Sequence, residues 1–371
     1  MGATKGPLDG VRVIELASIG PGPHAGMMLA DLGADVVRVQ RPGDRSGHGP
    51  MRAQLRGRRV VEADFKHPDD IEKVLGLVEK ADVLIEGFRP GVAERLGLGP
   101  EQAQARNPRL VYGRMTGWGQ EGPRAQQAGH DINYIGLTGA LHGIGRKGER
   151  PVPPINLLGD YGGGSVFLVL GIVTALYERE RSGQGQIIDA AMVDGVLTIA
   201  HSIWALNQGG YWSDERGSNL LDTGMAWYDT YQTSDGEYLA VGAFEPQFYA
   251  ELLRVLELSS ESLPHQMDPN GQEILRKIFT EKFRSRTQAE WAELFDGVDA
   301  CVTPIRSFAD ATRDDHLRAR GALIELDGIL QPAPAPRFSR TVPPLPAPAP
   351  TEITPIGEVW AQPPGPGTAT S

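Results

Sequence analysis

Over its first 200 residues the chain sets short β-branched runs against helical stretches in steady alternation, and few folds satisfy that pattern. Residues 11–16, 35–40, 60–65, 82–88 and 110–115 read as strands, rich in Val, Ile and Leu. Helices are expected over 24–32, where Gly33 supplies the C′ glycine, and over 68–80. Pro100 opens a further helix and Asn107-Pro108 marks a turn. Strands separated by helices of this length fold as a parallel sheet with helices on its faces.

From Gly129 the spacing changes. Two helices begin in glycine-rich turns, near Asp131 and near Gly162, and the second is apolar almost all round. Residues 186–192 return as another strand of the same sheet, and a helix over 193–207 leads away. Residues 228–233 and 237–241 form a hairpin across Ser234-Asp235-Gly236. Helices over 246–258, 272–284 and 288–295 follow, and strands over 301–305 and 322–326 close a small α+β domain. Beyond Gln331 the Pro-Ala-Pro repeats call for an extended segment that buries little surface, either an arm lying over the large domain or one disordered at its very end. The expected divisions are a large domain over 1–215, a small domain over 216–328 and a proline-rich arm over 329–371. A length of 371 residues fits two domains.

The net charge of -11 argues against nucleic-acid binding, which needs a basic face, although a local arginine cluster still serves a small anionic ligand. Cys301 is the sole cysteine, so no intrachain disulfide and no multi-thiolate metal site is expected. No run approaches the roughly 18 apolar residues of a membrane span. The longest, 166–176, is interrupted by Gly171 and reads as a buried helix. The first residues lack a signal-peptide core and the last three are not Ser-Lys-Leu, so a cytoplasmic enzyme is expected.

Four stretches could carry chemistry. Gly20-Pro21-Gly22-Pro23-His24-Ala25-Gly26 follows the first strand, but its glycine spacing is wrong for a dinucleotide fingerprint. The second strand ends in Gln40-Arg41 rather than in an acidic residue, which fits a ribose phosphate, as in NADP or coenzyme A. Glu86-Gly87-Phe88-Arg89-Pro90-Gly91, with Arg95 a turn later, offers guanidinium forks and an aromatic to a phosphate-bearing purine; an ordinary solvated loop reads the same way. His130, in Gly129-His130-Asp131-Ile132-Asn133-Tyr134, stands just before a helix, where the dipole disfavours an imidazolium and leaves a neutral base. Asp160 precedes Gly162-Gly163-Gly164. It reads as a plain N-cap or as a general acid/base, with glycines that admit a substrate and helix-start amides that stabilise an oxyanion.

Taken together these motifs, with Gly33-Ala34-Asp35-Val36-Val37-Arg38-Val39, Gly117-Trp118-Gly119-Gln120 and Asp189-Ala190-Ala191-Met192, resemble the family III coenzyme A-transferase superfamily over residues 7 to about 340. Within it the chain is most similar to the α-methylacyl-CoA racemase branch. The resemblance implies a Rossmann-like α/β large domain beside the small one, in an interlocked homodimer. It implies His130 and Asp160 as the acid/base pair, with Glu245 pairing with the histidine across the dimer. Arg41, Lys66, Arg89 and Arg95 fall at positions around the coenzyme A nucleotide, and Ala63, Gly87, Phe88, Gly129, Asp131, Ile132, Asn133 and Tyr134 at its other contacts. Coenzyme A is then part of the substrate, and no separate cofactor or metal is expected. Transferases of this kind need only an aspartate nucleophile, whereas a racemase needs a base on each side of C2, which His130 completes. A non-catalytic acyl-CoA binder and an NADP oxidoreductase are the remaining alternatives.

Overall fold

The structure is a computed structural model that describes residues 5–44 and 49–360. These fall into two compact units. One comprises the described residues up to Thr138, Ile155–Ile199 and those from Gly321 onward; the other comprises Gly139–Pro154 and Ala200–Arg320. Residues 139–154 and 200–215 therefore group with the second unit, whereas a single cut at 215 assigns them to the first.

In the first unit β1 (Arg12–Leu16), β2 (Asp35–Gln40), β3 (Arg58–Glu62), β4 (Val83–Glu86), β5 (Val111–Thr116) and β6 (Ile187–Ala191) form one sheet, ordered β3-β2-β1-β4-β5-β6. All its ladders are parallel. Its helices of seven residues or more, among the described residues, are α1 (Pro21–Asp31), α2 (Pro68–Val78), α3 (Pro100–Arg106), α4 (Asp131–Leu137), α5 (Val166–Ser182) and α6 (Met192–Ile199). The period of two along each strand divides the core. Val13, Val36, Val83 and Val111 meet Ala25 and Leu29 of α1 and Leu168 and Ile172 of α5 on one face. Ile14, Val37, Leu84 and Tyr112 meet Val74 and Val78 of α2 and Ala103 of α3 on the other. A carboxylate is buried in this layer: Glu15 on β1 pairs with Arg38 of β2 at 2.6 Å and Arg58 of β3 at 2.7 Å. Removing one partner of such a buried pair costs about 3–5 kcal/mol, because the other charge is left stranded.

The long apolar helix is longer than the stretch 166–176 implies. A π-helical segment, Leu157–Ser165, runs straight into α5, and the joined run Leu157–Ser182 is long and apolar enough to cross a membrane by length and composition. A core helix of a layered α/β unit passes the same test, and the face of α5 bearing Leu168 and Ile172 packs on the sheet. The helix expected over 193–207 is two helices, α6 and α7 (His201–Gln208), broken at Ala200.

The second unit holds the antiparallel sheet β7 (Tyr228–Gln232), β8 (Tyr238–Gly242) and β9 (Val302–Pro304). Helices α8 (Pro246–Val255), α9 (Gln272–Phe283) and α10 (Gln288–Phe295) enclose a core of Trp227, Tyr231, Phe279, Phe283 and Trp291.

The strand expected over 322–326 does not close that sheet. It is β10 (Leu323–Leu326), which pairs with β11 (Ile329–Pro332) back in the first unit. Asp327 and Gly328, with φ of 56° and 73°, make the two-residue turn between them. Asp-Gly is a strong hairpin signal, because both positions need positive φ.

The proline-rich arm then covers the open edge of β3: Thr354 N–H donates to Val60 O at 2.7 Å. Contrary to the expectation that this arm buries little, its Val359 and Trp360 are 1% and 8% exposed and belong to the sheet's core. The far end of the arm, 361–371, lies outside the described residues. Trp360 Nε1 donates to Asp35 Oδ2 at 2.8 Å. Trp360→Ala is expected to destabilise the first unit by about 3 kcal/mol, read as a lower urea midpoint with an unchanged m-value. An unmoved midpoint rules out the arm as part of the core.

Candidate active site

The strand order reverses between β1 and β4, and in such sheets the crevice at the carboxyl ends of the strands takes the ligand. A cavity of about 670 Å³ lies there, lined by the loops after β1 (Ser18 to Gly22), β4 (Gly87 to Pro90) and β5 (Thr116 to Trp118), with Gly129, His130, Asn133, Tyr134 and Asp160.

His130 is the N-cap of α4, with extended backbone at φ -133° and ψ 174°. Its backbone N–H donates to Asn133 Oδ1 at 3.0 Å, and the Asn133 N–H donates to its carbonyl at 2.8 Å. Tyr134 ties the turn from below, its hydroxyl donating to Gly129 O at 2.5 Å. The Tyr134 ring meets Trp118 edge-on, with centroids 4.8 Å apart. The backbone is thus fixed while the imidazole stays exposed.

Asp160 departs from expectation in its local structure. It does not cap a helix but lies inside the π-helical segment. π-helical segments are rare and are frequent at functional sites. Asp131, the residue after His130, is 5% exposed, and its Oδ1 accepts the N–H groups of both Gly159 and Asp160 at 2.7 Å. Those amides are therefore committed and do not serve as oxyanion donors. The glycine triplet also has another task. A Cβ on Gly163 would lie 2.8 Å from the Val196 nitrogen, and one on Gly195 would lie 1.9 Å from the Gly163 oxygen. Glycine there lets α6 touch the π segment backbone to backbone.

Asn156 donates to Asp160 Oδ2 at 3.1 Å. Gly20, at φ +69°, brings the loop before α1 against the same oxygen; a Cβ there would be 3.5 Å from it. Burial pushes the Asp160 carboxyl above its ordinary value; the Asn156 hydrogen bond pulls it down, the nearby Asp131 carboxylate raises it, and the attraction of His130 lowers it.

The remaining predicted residues separate by place. Gly87, Phe88 and Arg89 line the cavity. Glu86, fully buried, holds that loop: its Oε2 accepts the Phe88 N–H at 2.6 Å, and its Oε1 accepts Arg114 Nε at 2.9 Å. Arg41 follows β2, and Ala63 and Lys66 follow β3, on the same sheet edge but outside the cavity wall. Arg41, Lys66, Arg89 and Arg95 are all exposed. Ile132 is exposed on α4 and Asp131 is buried behind it. Glu245 belongs to the second unit, exposed at the N-cap of α8. Sequence reasoning passed over Asn156, whose spacing of four from a helical Asp160 was the available signal, and over the bracing role of the Asp131 carboxylate. Among the described residues no three His, Cys, Asp or Glu side chains converge as metal ligands would.

A parallel sheet with this cavity at its switch point defines an α/β enzyme-like unit, and the comparisons make the class specific. Residues 8–367 match the family described as CoA-transferase family III, and the chain belongs to that family. It is 49% identical over 336 residues to the mouse α-methylacyl-CoA racemase, covering 90% of this chain and 87% of that protein. Identity to the human α-methylacyl-CoA racemase is 46% over 337 residues, with the same coverage of 90% and 87%. Among solved structures, a CaiB/BaiF family protein from Brucella suis superposes with a TM-score of 0.82 at 29% identity, covering 94% of this chain and 97% of that one.

The Asn156 hydrogen bond favours the charged form of Asp160, so its removal has a definite sign. In Asn156→Ala the Asp160 carboxyl should titrate at higher pH than in the parent, followed by carbon-13 NMR of labelled aspartate. A titration that is unmoved or moved downward contradicts this account.

Proposed function

We propose that this enzyme interconverts the 2R and 2S epimers of 2-methylacyl-CoA thioesters by moving a proton at C2 between two bases. The observation that carries the reading is that His130 and Asp160, from separate segments, line one cavity beside the Gly87-Phe88-Arg89 loop. His130 removes the C2 proton of one epimer, leaving an enolate on the thioester; the acid form of Asp160 returns a proton to the opposite face. In the reverse direction the roles exchange. Burial of Asp160 favours the acid form that this needs. With the Gly159 and Asp160 amides taken by Asp131, the thioester oxygen does not draw on them for its donors. Arg41, Lys66, Arg89 and Arg95 take the phosphates of coenzyme A, and Phe88 its base. The close likeness to two α-methylacyl-CoA racemases supports this choice.

The working form is an interlocked homodimer, with Glu245 of the partner subunit paired to His130. Supporting it, Val166, Leu170, Val173 and Tyr177 leave an exposed apolar stripe along α5, at the spacing of one helix face.

The second reading, coenzyme A transfer between carboxylic acids, draws on the half-buried Asp160 carboxyl at the cavity wall, which a nucleophile also requires. Proton NMR of one 2-methylacyl-CoA epimer in heavy water separates the two. The racemase loses the C2 proton signal as the epimer ratio equalises, whereas hydroxylamine trapping of an acyl group on Asp160 without exchange establishes the transferase. His130→Ala should slow exchange by about 10²–10⁴, more severely from one epimer than from the other. Mild and equal losses from both epimers would sink the two-base scheme.

A further inference from the structure

The sequence singled out the loop holding His24 without finding it a task, and the structure places that imidazole against the segment that carries Asp160. His24 lies on α1, one turn after Gly20. Its Nδ1 is 2.7 Å from Ser165 Oγ, at the far end of the π segment. Its ring faces that of Tyr161, the neighbour of Asp160, with centroids 4.5 Å apart. Ser165 is fully buried, and its hydroxyl donates to the Tyr161 carbonyl at 3.1 Å. Gln54 Nε2 donates to the Tyr161 hydroxyl at 3.1 Å.

A serine hydroxyl has one proton. With that proton directed at Tyr161 O, Ser165 accepts from His24, so His24 carries its proton on Nδ1. Burial and then the Arg58 and Arg56 guanidiniums disfavour the charged ring and hold it below the ordinary imidazole range. α1 is itself seated firmly. Arg58 donates to the Pro23 carbonyl, and Arg56 pairs with Asp31 at 2.6 Å.

We propose that His24 and Ser165 are positioning residues for Asp160. The Nδ1–H···Oγ bond anchors the C-terminal end of the π segment to α1, as Asp131 anchors its other end. With that bond lost the segment keeps its packing on α6 and its continuity with α5, but its winding can relax, which turns the side chains along it. Tyr161 stands between the two anchors, and Asp160, whose own amide is held by Asp131, begins the stretch. Loss of the far anchor therefore turns the carboxyl away from C2 while leaving the loops at Arg41, Lys66 and Arg89 in place. The inference rests on the reading of Asp160 as an acid/base, and it predicts an effect on turnover rather than on binding.

The test is a double-mutant cycle in the full chain, with C2 exchange of each pure 2-methylacyl-CoA epimer followed in heavy water. Ser165→Ala and His24→Leu should each lower kcat about tenfold to a hundredfold, with KM within about twofold. The double variant should fall no further than the worse single one, since both remove the same bond. His24→Asn, whose amide nitrogen replaces Nδ1, should recover most of the loss. Losses should be larger for the epimer whose proton Asp160 takes. Additive losses, a rise in KM equal to the fall in kcat, or unimpaired turnover in Ser165→Ala each overturn the proposal. Nitrogen-15 NMR of the histidines in the parent protein reads the bond without any variant, and an Nε2–H tautomer at His24 is equally fatal. Absence of exchange in the parent is a failure of the racemase reading instead; the same variants are then compared by the rate at which hydroxylamine-trappable acyl groups form on Asp160.

Discussion

The site depends on one carboxylate that does no chemistry of its own. Asp131 Oδ1 receives the amides of Gly159 and Asp160, and by doing so ties the start of α4 to the π segment. His130 is covalently next to Asp131, so a single acceptor fixes the backbone of both acid/base candidates. Hydrogen bonds to a charged acceptor in a buried setting are about twice as strong as neutral ones. The glycine at 159 belongs to the same arrangement, since a Cβ there would lie 2.5 Å from Asp131 Oδ1. What reads in the sequence as two separate glycine-rich motifs is one structural joint.

Behind that joint the sheet decides where chemistry can occur. β1 and β4 are neighbours whose following loops turn to opposite faces, and the opening between them is where Gly20, Gly87 and Arg89 meet. The buried Glu15–Arg58 pair and the Glu86–Arg114 pair lie beneath those loops on β1 and β4. They stiffen the strand ends from which the cavity wall departs. Desolvating such charges is expensive and gives little net stability, so their value here is in holding loop geometry.

Much of the sheet was legible because β1 to β4 are largely buried on both faces and carry runs of Val, Ile and Leu, as buried parallel strands do. The interval 35–40 coincides with β2, and 110–115 is displaced by one residue from β5. Helix interruptions were not legible. The break at Ala200 and the π segment carry no proline, and apolar periodicity does not distinguish one winding from another over a single turn. The hairpin at Asp327-Gly328 was legible in principle, but its strands are four residues each and half exposed, too short for alternation to register. In the site, His130 and Asp160 stood out by composition. Asn156 and Ser165 did not, because Asn and Ser are common and only their contacts give them roles.

Burial is the main cause of the raised Asp160 carboxyl, and the joint that positions it adds to that shift. A carboxylate placed so that its backbone neighbours can be bound must lie close enough for its charge to be felt by the side chain, and Asp131 raises the Asp160 carboxyl for that reason. Asn156 opposes it with a hydrogen bond to the ionised form, and His130 opposes it across the cavity. A group that alternates between proton donor and acceptor works best when neither form is strongly preferred. Burial and Asp131 raise the Asp160 carboxyl, Asn156 and His130 oppose them, and the net direction is upward. The first task of Asp131 is geometric, so geometry and proton affinity cannot be altered independently at this site.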